Sequence, residues 1–440
     1  ELPLVVATEP PKFYRQPAFL VGLAIPLLWS GLNGLHFIYP AVPEISVWPG
    51  DLVKGSASKF VRAMKWMPIT FYPFAIGLGY LLPTDLLFSA WFFYLFWKFE
   101  MAFCSLLAWD VNPKMPYAEQ QALGACIALV VYLLYTSRGY LGELRLGALG
   151  RGPARQHRSE YRAALTATVL GAAFLVFFCR VAGMSWTILL LFWLIYAIIA
   201  IVVTRMRAEL GPPVHDFHKM GADQMLTELL GSQNIGGKDL GMLSLLWWIN
   251  RAYRGLPMAH QIEGLKAAQV TGVRPGWFHA GMWLAGVLGM AGAMLAYLGL
   301  GFKLGAASGF HSGFGYGWAN FGALMSYLQH PTPPDHGTAA AVVIGLLFSA
   351  FCLVMRLRFL GWPFHPIGFA ISACWSINLV WLPLLIAWCI KVSVTRWLGL
   401  KGYVKWRPFF LGLILGDFVS GGLFNIIGIL KDLPVYHFLG

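Results

Sequence analysis

The chain has 440 residues, of which 58% are hydrophobic and only 12% are charged. A soluble globular protein carries about 25% charged residues, so this composition excludes an ordinary soluble enzyme, a disordered chain and a coiled coil. In a soluble domain the net charge of +13 would point to nucleic acid. Here basic residues flank apolar spans, as on the cytoplasmic side of membrane proteins, so we expect a lipid bilayer and no nucleic acid as partners.

Eight apolar runs reach the length of about 20 residues that crosses a bilayer as a helix. They cover 17–38, 84–108, 119–136, 160–182, 184–204, 276–300, 338–357 and 408–428. We therefore predict an all-α, polytopic bundle of about eight spanning helices. The predicted parts are an extramembrane start (1–16), a first bundle (17–204), a cytoplasmic or interfacial amphipathic region (205–275) and a second bundle (276–440).

Two further apolar segments, 67–82 and 364–391, are interrupted by Gly, Pro or Asn. The arginine-rich connector 137–159 falls on the cytoplasmic side under the positive-inside rule. Counting from it, the basic clusters 54–65 and 391–407 stay on that side only if each interrupted segment enters the membrane and turns back. Such re-entrant backbone is a pointer to transporter binding sites. The alternative is two kinked ordinary spans that violate the charge bias.

The connector 301–337 is rich in Gly and aromatic residues and holds one cation, Lys303. We predict that it lies outside, either as a lid over an outward cavity or as an interfacial loop with aromatic anchors.

Asp417 lies near the middle of the last apolar run, between Gly416 and Phe418. A carboxylate at that depth costs at least a few kcal/mol unless it is paired or hydrated. One hypothesis is that Asp417 couples transport to protons or ions. The other is that Asp417 pairs with a cation in a structural role or accepts a hydrogen bond from a broken helix end. The spacing of Gly412 and Gly416 predicts that another helix packs closely here.

Glu100 is our second candidate for ion coupling. It lies two residues after Lys98 in the same span, so the two side chains need separate partners. Lys98 is expected to snorkel to the interface.

We expect a solute to bind near the midplane, where broken helix ends in 71–85 and 364–383 present backbone groups. The predicted binding residues are Pro73, Gly77, Gly79, Tyr80, Pro83, Asp85, His365, Pro366 and Asn378. For Asp85 the alternative is a helix cap, together with Thr84.

No metal site, cofactor or enzymatic activity is predicted. The six cysteines lie in apolar runs without CxxC spacing, which favours buried thiols. His215, Asp216 and His218 are a weak metal signal, and neither HExxH nor GxSxG occurs.

Several segments, among them FYPFAIGLGYLLPTDL, RAELGPPVHDFH and RPFFLGLILGDF, resemble an uncharacterised bacterial branch of the oligopeptide-transporter superfamily. The strongest pieces are Gly77, Gly79, Tyr80 and Pro83, and the last-span motif with Asp417, where that superfamily more often has Glu. The resemblance implies a proton-coupled importer of small peptides or metal chelates in the bacterial inner membrane. It also implies more spans than eight. Because the chain starts Glu1-Leu2-Pro3 without Met, we expect an N-terminal part to be missing.

The sequence thus predicts a secondary transporter of a small polar solute, coupled through Asp417 or Glu100. The alternative is a non-transporting scaffold subunit of a larger membrane complex. A polar cavity that reaches Asp417 would favour transport, whereas a dry core would favour a scaffold. Association with further copies or other subunits is left open.

Overall fold

A computed structural model describes residues 11–151, 158–211, 214–305 and 311–431. The structure is all-α, with 78% of the residues in helices, as predicted. In chain order the elements are α1 (Pro11–Tyr14), α2 (Pro17–Ile38), β1 (Gly50–Asp51), α3 (Lys59–Ala63), β2 (Pro68–Ile69), α4 (Pro73–Leu81), α5 (Thr84–Leu106), α6 (Ala118–Thr136), α7 (Arg138–Ala148), α8 (Arg158–Val181), α9 (Trp186–Glu209), α10 (Ala222–Leu230), α11 (Gly237–Asn250), α12 (Pro257–Thr271), α13 (Pro275–Leu304), α14 (His311–Gln329), α15 (His336–Arg358), α16 (Pro366–Ile371) and α17 (Ile377–Lys431). Short 3₁₀ turns cover Trp109–Val111, Ser232–Asn234 and Tyr253–Gly255.

Eight helices in the described ranges are long and apolar enough to cross a membrane: α2, α5, α6, α8, α9, α13, α15 and α17. This confirms the predicted number of spans, and the chain is a multi-span membrane protein. The amphipathic region 205–275 contains α10, α11 and α12. Residues 1–10 of the predicted extramembrane start and residues 306–310 of the connector 301–337 lie outside the described residues. The middle of this connector is the helix α14. The Asn320 side chain of α14 donates to the Ser244 carbonyl of α11 at 2.8 Å, so the connector contacts the region 205–275, which we predicted on the opposite face.

The last helix, α17, is broken at Gly399, where φ is 64° and ψ is −163°. A left-handed φ of this kind favours glycine, because glycine has no Cβ. We call residues 377–398 the first arm and residues 400–431 the second arm.

The interrupted segment 364–391 begins with α16, which follows α5 in the same direction. The backbone N–H of His365 donates to the Ser89 hydroxyl at 2.7 Å. Two turns further along α5, the indole of Trp97 donates to the Ser372 hydroxyl at 2.8 Å. The chain then turns through residues 372–376.

The first arm runs back along α5 in the opposite direction. The Tyr94 hydroxyl donates to the Asn378 side chain at 3.1 Å, near the turn. The ammonium of Lys391 donates to the Leu82 carbonyl, just before α5 begins. Therefore α16, the turn and the first arm form a hairpin, and both of its ends lie near the start of α5. Re-entry of this hairpin into a bilayer stays a prediction. The course of the chain agrees with it.

The other interrupted segment, 67–82, runs in a single direction. The Pro68 carbonyl accepts from the Trp381 indole at 2.9 Å, and the Leu82 carbonyl accepts from Lys391. The segment thus follows the first arm in parallel, and the return is made by α5, a full span. Our re-entrant interpretation expects the segment 67–82 to turn back within itself, and it does not.

Close helix packing occurs where glycines face a neighbouring backbone. A Cβ at Gly416 would lie 2.5 Å from the Leu23 carbonyl oxygen of α2, and one at Gly412 would overlap Phe19. Helices α6 and α15 approach each other similarly at Gly124 and Gly345.

The main hydrophobic core lies between α5, α6, α9, α10, α11 and the hairpin. Most side chains of α8 and α13 are exposed. Their apolar surfaces suit contact with lipid, which dissolves apolar side chains as well as a protein core does.

Candidate functional site

Three stretches of non-helical backbone converge at the tip of the hairpin: 65–72, 214–221 and 372–376. The rings of Trp66 and Trp375 stack, with their centroids 5.5 Å apart. The backbone N–H of Ser376 donates to the Asp216 carboxylate at 3.4 Å. Irregular backbone within a membrane bundle is tolerated where protein or a water-filled cavity satisfies its polar groups. At this tip protein contacts hold the irregular backbone, and a cavity lies beside it.

A cavity of about 430 Å³, which we call the first cavity, lies beside the tip. Its charged lining residues are Lys65, Lys98, Lys114, Lys219, Glu119 and Glu228. Its aromatic walls come from Trp66, Tyr94, Trp97 and Trp375. Neutral hydrogen-bonding groups are supplied by Gln120, Gln224, Ser372 and Asn378.

Lys98 is the deeply buried cation of this cavity, with 6% of its surface exposed. Its ammonium donates to the Trp66 carbonyl at 2.6 Å and lies 5.3 Å from the centre of the Tyr94 ring. Our expectation that Lys98 snorkels to the interface is therefore wrong. The side chain turns inward because the irregular backbone before α4 offers it a carbonyl acceptor.

A charged cluster lies at one side of the first cavity. The Lys114 ammonium lies 2.9 Å from the Asp335 carboxylate and 3.5 Å from that of Glu228. Burial alone would lower the pKa of Lys114, but its hydrogen bond to Asp335 and the charges of both acids raise it on balance. Burial would raise the pKa of Asp335, but Lys114 lowers it on balance. Lys114 and Asp335 are thus kept charged at neutral pH.

A second cavity of about 360 Å³ lies at the other end of α16. His365, Pro366 and Ile367 line it, together with the ends of α6, α9 and α15. Of its two arginines, Arg356 lies 2.9 Å from the Asp85 carboxylate. The other, Arg205, forms an ion pair with Glu209. Between the two cavities every residue of α16 is buried.

Four of the predicted binding residues lie at or beside these cavities. Asn378 lines the first cavity, and His365 and Pro366 line the second. Asp85 reaches the second cavity indirectly, through its ion pair with Arg356.

The other predicted binding residues lie away from both cavities: Pro73, Gly77, Gly79, Tyr80 and Pro83. They pack α4 against α17 or connect it to α5. A Cβ at Gly77 would lie 2.7 Å from the Phe410 carbonyl oxygen, and the Tyr80 ring stacks on Phe410 with centroids 3.8 Å apart. Pro83 immediately precedes α5. Their role in solute binding stays a prediction.

The two predicted ion-coupling residues do not line either cavity. The carboxylate of Asp417 accepts from the backbone N–H of Phe74 at 3.0 Å, in the first turn of α4. This contact corresponds to the alternative that we weighed for Asp417, a hydrogen bond to a broken helix end. Glu100 is half-buried, and its Oε2 has no hydrogen-bond partner among the described residues. Ion coupling by either residue stays a prediction.

His215 and His218 do not form a metal centre with Asp216 in this arrangement. The Nε2 atom of His215 lies 3.3 Å from a guanidinium nitrogen of Arg207, an unfavourable neighbour for a cation. Within the described ranges, no three His, Cys, Asp or Glu side chains are grouped so that they could hold a metal ion.

Sequence reasoning missed the group formed by Lys65, Trp66, Glu119, Lys219 and Trp375. The fold brings these residues together at the first cavity, although they lie in four separate parts of the chain. One signal was available, because Lys65 and Trp66 directly precede an interrupted apolar segment. Polar residues beside such a segment are candidates for lining a cavity.

Comparison with curated proteins and with solved structures finds no match. The resemblance to the oligopeptide-transporter superfamily therefore stays an expectation. A family model matches residues 1–440, the full length of the chain. The chain thus belongs to that family, which is described as a family of unknown function, DUF6785.

Proposed function

We propose that the protein is a secondary transporter of a small polar solute. The observation that carries the proposal is the pair of cavities at opposite ends of the buried helix α16. A solute held at the hairpin tip would pass to the second cavity if α16 shifted. This is the arrangement that alternating access around one site requires.

The chemistry of the first cavity supports this proposal over a purely structural role. Charged groups within a membrane bundle are expensive, and they are commonly retained for a solute or ion pathway. A scaffold subunit would be more stable with an apolar core at this position. The scaffold alternative draws support from two observations. The apolar faces of α8 and α13 are exposed, which lipid contact explains equally well, and Asp417 lines neither cavity.

Proton coupling and a bacterial inner-membrane location are parts of the same proposal. Support for coupling comes from Glu100, whose buried Oε2 lacks a hydrogen-bond partner among the described residues. Asp417 is the other candidate, although its carboxylate is already engaged at the start of α4.

The proposal is tested by uptake into proteoliposomes under an inward proton gradient. The labelled probes are a dipeptide, an iron–citrate chelate and phthalate, with protein-free liposomes as the control. We expect at least one probe to accumulate above the control. Uptake of all three probes at the level of the protein-free liposomes would contradict the proposal.

Coupling is tested in the same liposomes with Glu100→Gln and Asp417→Asn. The variant that removes the coupling group should retain exchange of the probe but lose its response to the proton gradient. An unchanged response in both variants would remove both residues from this role.

A further inference from the structure

We infer that the first cavity binds a small organic anion, an inference that rests on the transport function proposed above. Three observations carry it: the balance of charge in the lining, the partners of Lys98, and the aromatic walls. None of them depends on which ion drives transport.

The charge balance of the first cavity is positive by one once its internal ion pairs are counted. Lys114 carries one positive charge against the two carboxylates of Glu228 and Asp335, so this cluster is negative by one. Three lysines, Lys65, Lys98 and Lys219, face one further carboxylate, Glu119, so this group is positive by two. In the part of the chain that the structure describes, no carboxylate lies within ion-pair distance of these three lysines. The remaining excess of positive charge matches an anionic ligand.

Lys98 is the cation that most needs such a ligand. Its ammonium has three donors, and the one hydrogen bond that it makes in the described structure goes to the Trp66 carbonyl. The Asp51 carboxylate attracts this ammonium only from beyond ion-pair distance. A buried ammonium without a paired counter-charge is costly, and a carboxylate or phosphate oxygen would supply both the charge and an acceptor. Lys65 and Lys219 also line the cavity, and both side chains are exposed.

The walls indicate that the anion is organic and not a bare inorganic ion. The stacked rings of Trp66 and Trp375 and the ring of Tyr94 present flat apolar surfaces. The volume of about 430 Å³ falls within the range of about 300–1,000 Å³ typical of sites for small organic molecules. An inorganic anion would leave most of this volume and all of the aromatic surface without a contact.

A carboxylate or a phosphate ester would satisfy the same lysines, so the test separates these two classes of anion. Binding is measured by calorimetry with the full chain in lipid nanodiscs. The probes are phthalate, phenyl phosphate and the neutral dimethyl phthalate. We expect phthalate or phenyl phosphate to bind, with the tighter of the two identifying the anionic group, and dimethyl phthalate to bind at least about tenfold more weakly. Equal binding of phthalate and dimethyl phthalate would overturn the inference, as would no binding of either anion.

The matched variants are Lys98→Met and Lys391→Met. Both lysines are buried and donate to a backbone carbonyl, but Lys391 does not line the cavity. We expect Lys98→Met to weaken binding of the anion at least about tenfold and Lys391→Met to leave it unchanged. Lys219→Met, at an exposed position, gives a smaller loss and tests the site even if Lys98→Met fails to fold. Equal effects of Lys98→Met and Lys391→Met, or no loss in Lys219→Met, would overturn the inference.

Failure of this inference is distinguishable from failure of the proposed function. Binding of phthalate or phenyl phosphate without uptake of any probe would leave the site intact and remove transport. Uptake of the dipeptide or the chelate without binding of either anion would retain transport and remove the assigned substrate class.

Discussion

Asp335 connects the start of α15 to the loop between α5 and α6 through a single carboxylate. It accepts from the backbone N–H groups of Gly337 and Thr338, which caps α15, and it pairs with Lys114. Because the pKa of Asp335 is lowered in the folded protein, its ionised form stabilises the fold. That contribution is present above the ordinary pKa of about 4 and is lost as the pH falls through the folded pKa.

We therefore expect Asp335→Asn to be less sensitive to acid than the wild type. Asn still caps a helix, so the loss at pH 7 is mainly that of the ion pair, about 0.5–1 kcal/mol for a partly exposed pair. Unfolding temperatures measured between pH 3 and pH 7 in one detergent test this. Parallel pH profiles for the two proteins would contradict the expectation.

Asp417 gives a second prediction at the scale of one residue. If its main structural role is to accept from Phe74 at the start of α4, Asp417→Asn should retain that hydrogen bond through its amide oxygen. Asp417→Ala should lose it, at about 1 kcal/mol or somewhat more. Chemical unfolding of both variants measures the difference, and equal stabilities would argue against the capping role.

The residue scale is also where sequence reasoning was least complete. A carboxylate in an apolar run was recognised as needing a partner, but the partner of Asp417 is a backbone N–H that no pattern identifies. For Lys98 the position near a helix end favoured snorkelling. The side chain instead turns inward to the carbonyl of Trp66, 32 positions earlier in the chain. Hydropathy carries no information on such a contact.

At the scale of helices, the close pair α6 and α15 depends on glycine. A Cβ at Gly345 would overlap the backbone carbonyl of Gln121, whereas one at Gly286 on α13 meets no atom within 4 Å. Gly345→Ala should therefore destabilise the protein by about 1–3 kcal/mol, because the two backbones must separate.

The matched control, Gly286→Ala, should be neutral or slightly stabilising, because Ala favours a helix over Gly by up to about 1 kcal/mol. Thermal unfolding of both variants in nanodiscs gives the comparison. A Gly345→Ala variant as stable as Gly286→Ala would contradict the close packing of α6 and α15.

The spans themselves followed from composition, since about 20 consecutive apolar residues have few other stable structures in a membrane. Interrupted segments are harder to predict, because Gly and Pro mark where a helix stops but not where the chain goes next. Both 67–82 and 364–391 were recognised as irregular. Only the contacts along α5 and the first arm show that 67–82 runs in one direction and that 364–391 turns back.

For the whole molecule, the arrangement of the two cavities is the feature with the most direct functional meaning. They approach each other from opposite ends of α16, a helix of six residues that is held by hydrogen bonds at Ser89 and Trp97. This arrangement could not be predicted from the sequence, because it depends on how four distant parts of the chain meet at the hairpin tip. It makes α16 the element whose movement would join or separate the cavities.

The most direct test of the account is the accessibility of the hairpin tip from the two membrane faces. In a variant without the six native cysteines, Ala373→Cys is placed at the wall of the first cavity. Ala75→Cys, fully buried and away from both cavities, is the control. A membrane-impermeant thiol reagent is applied to either face of oriented vesicles. We predict that Ala373→Cys reacts from both faces and that Ala75→Cys reacts from neither. Reaction of Ala373→Cys from one face alone would contradict alternating access around α16.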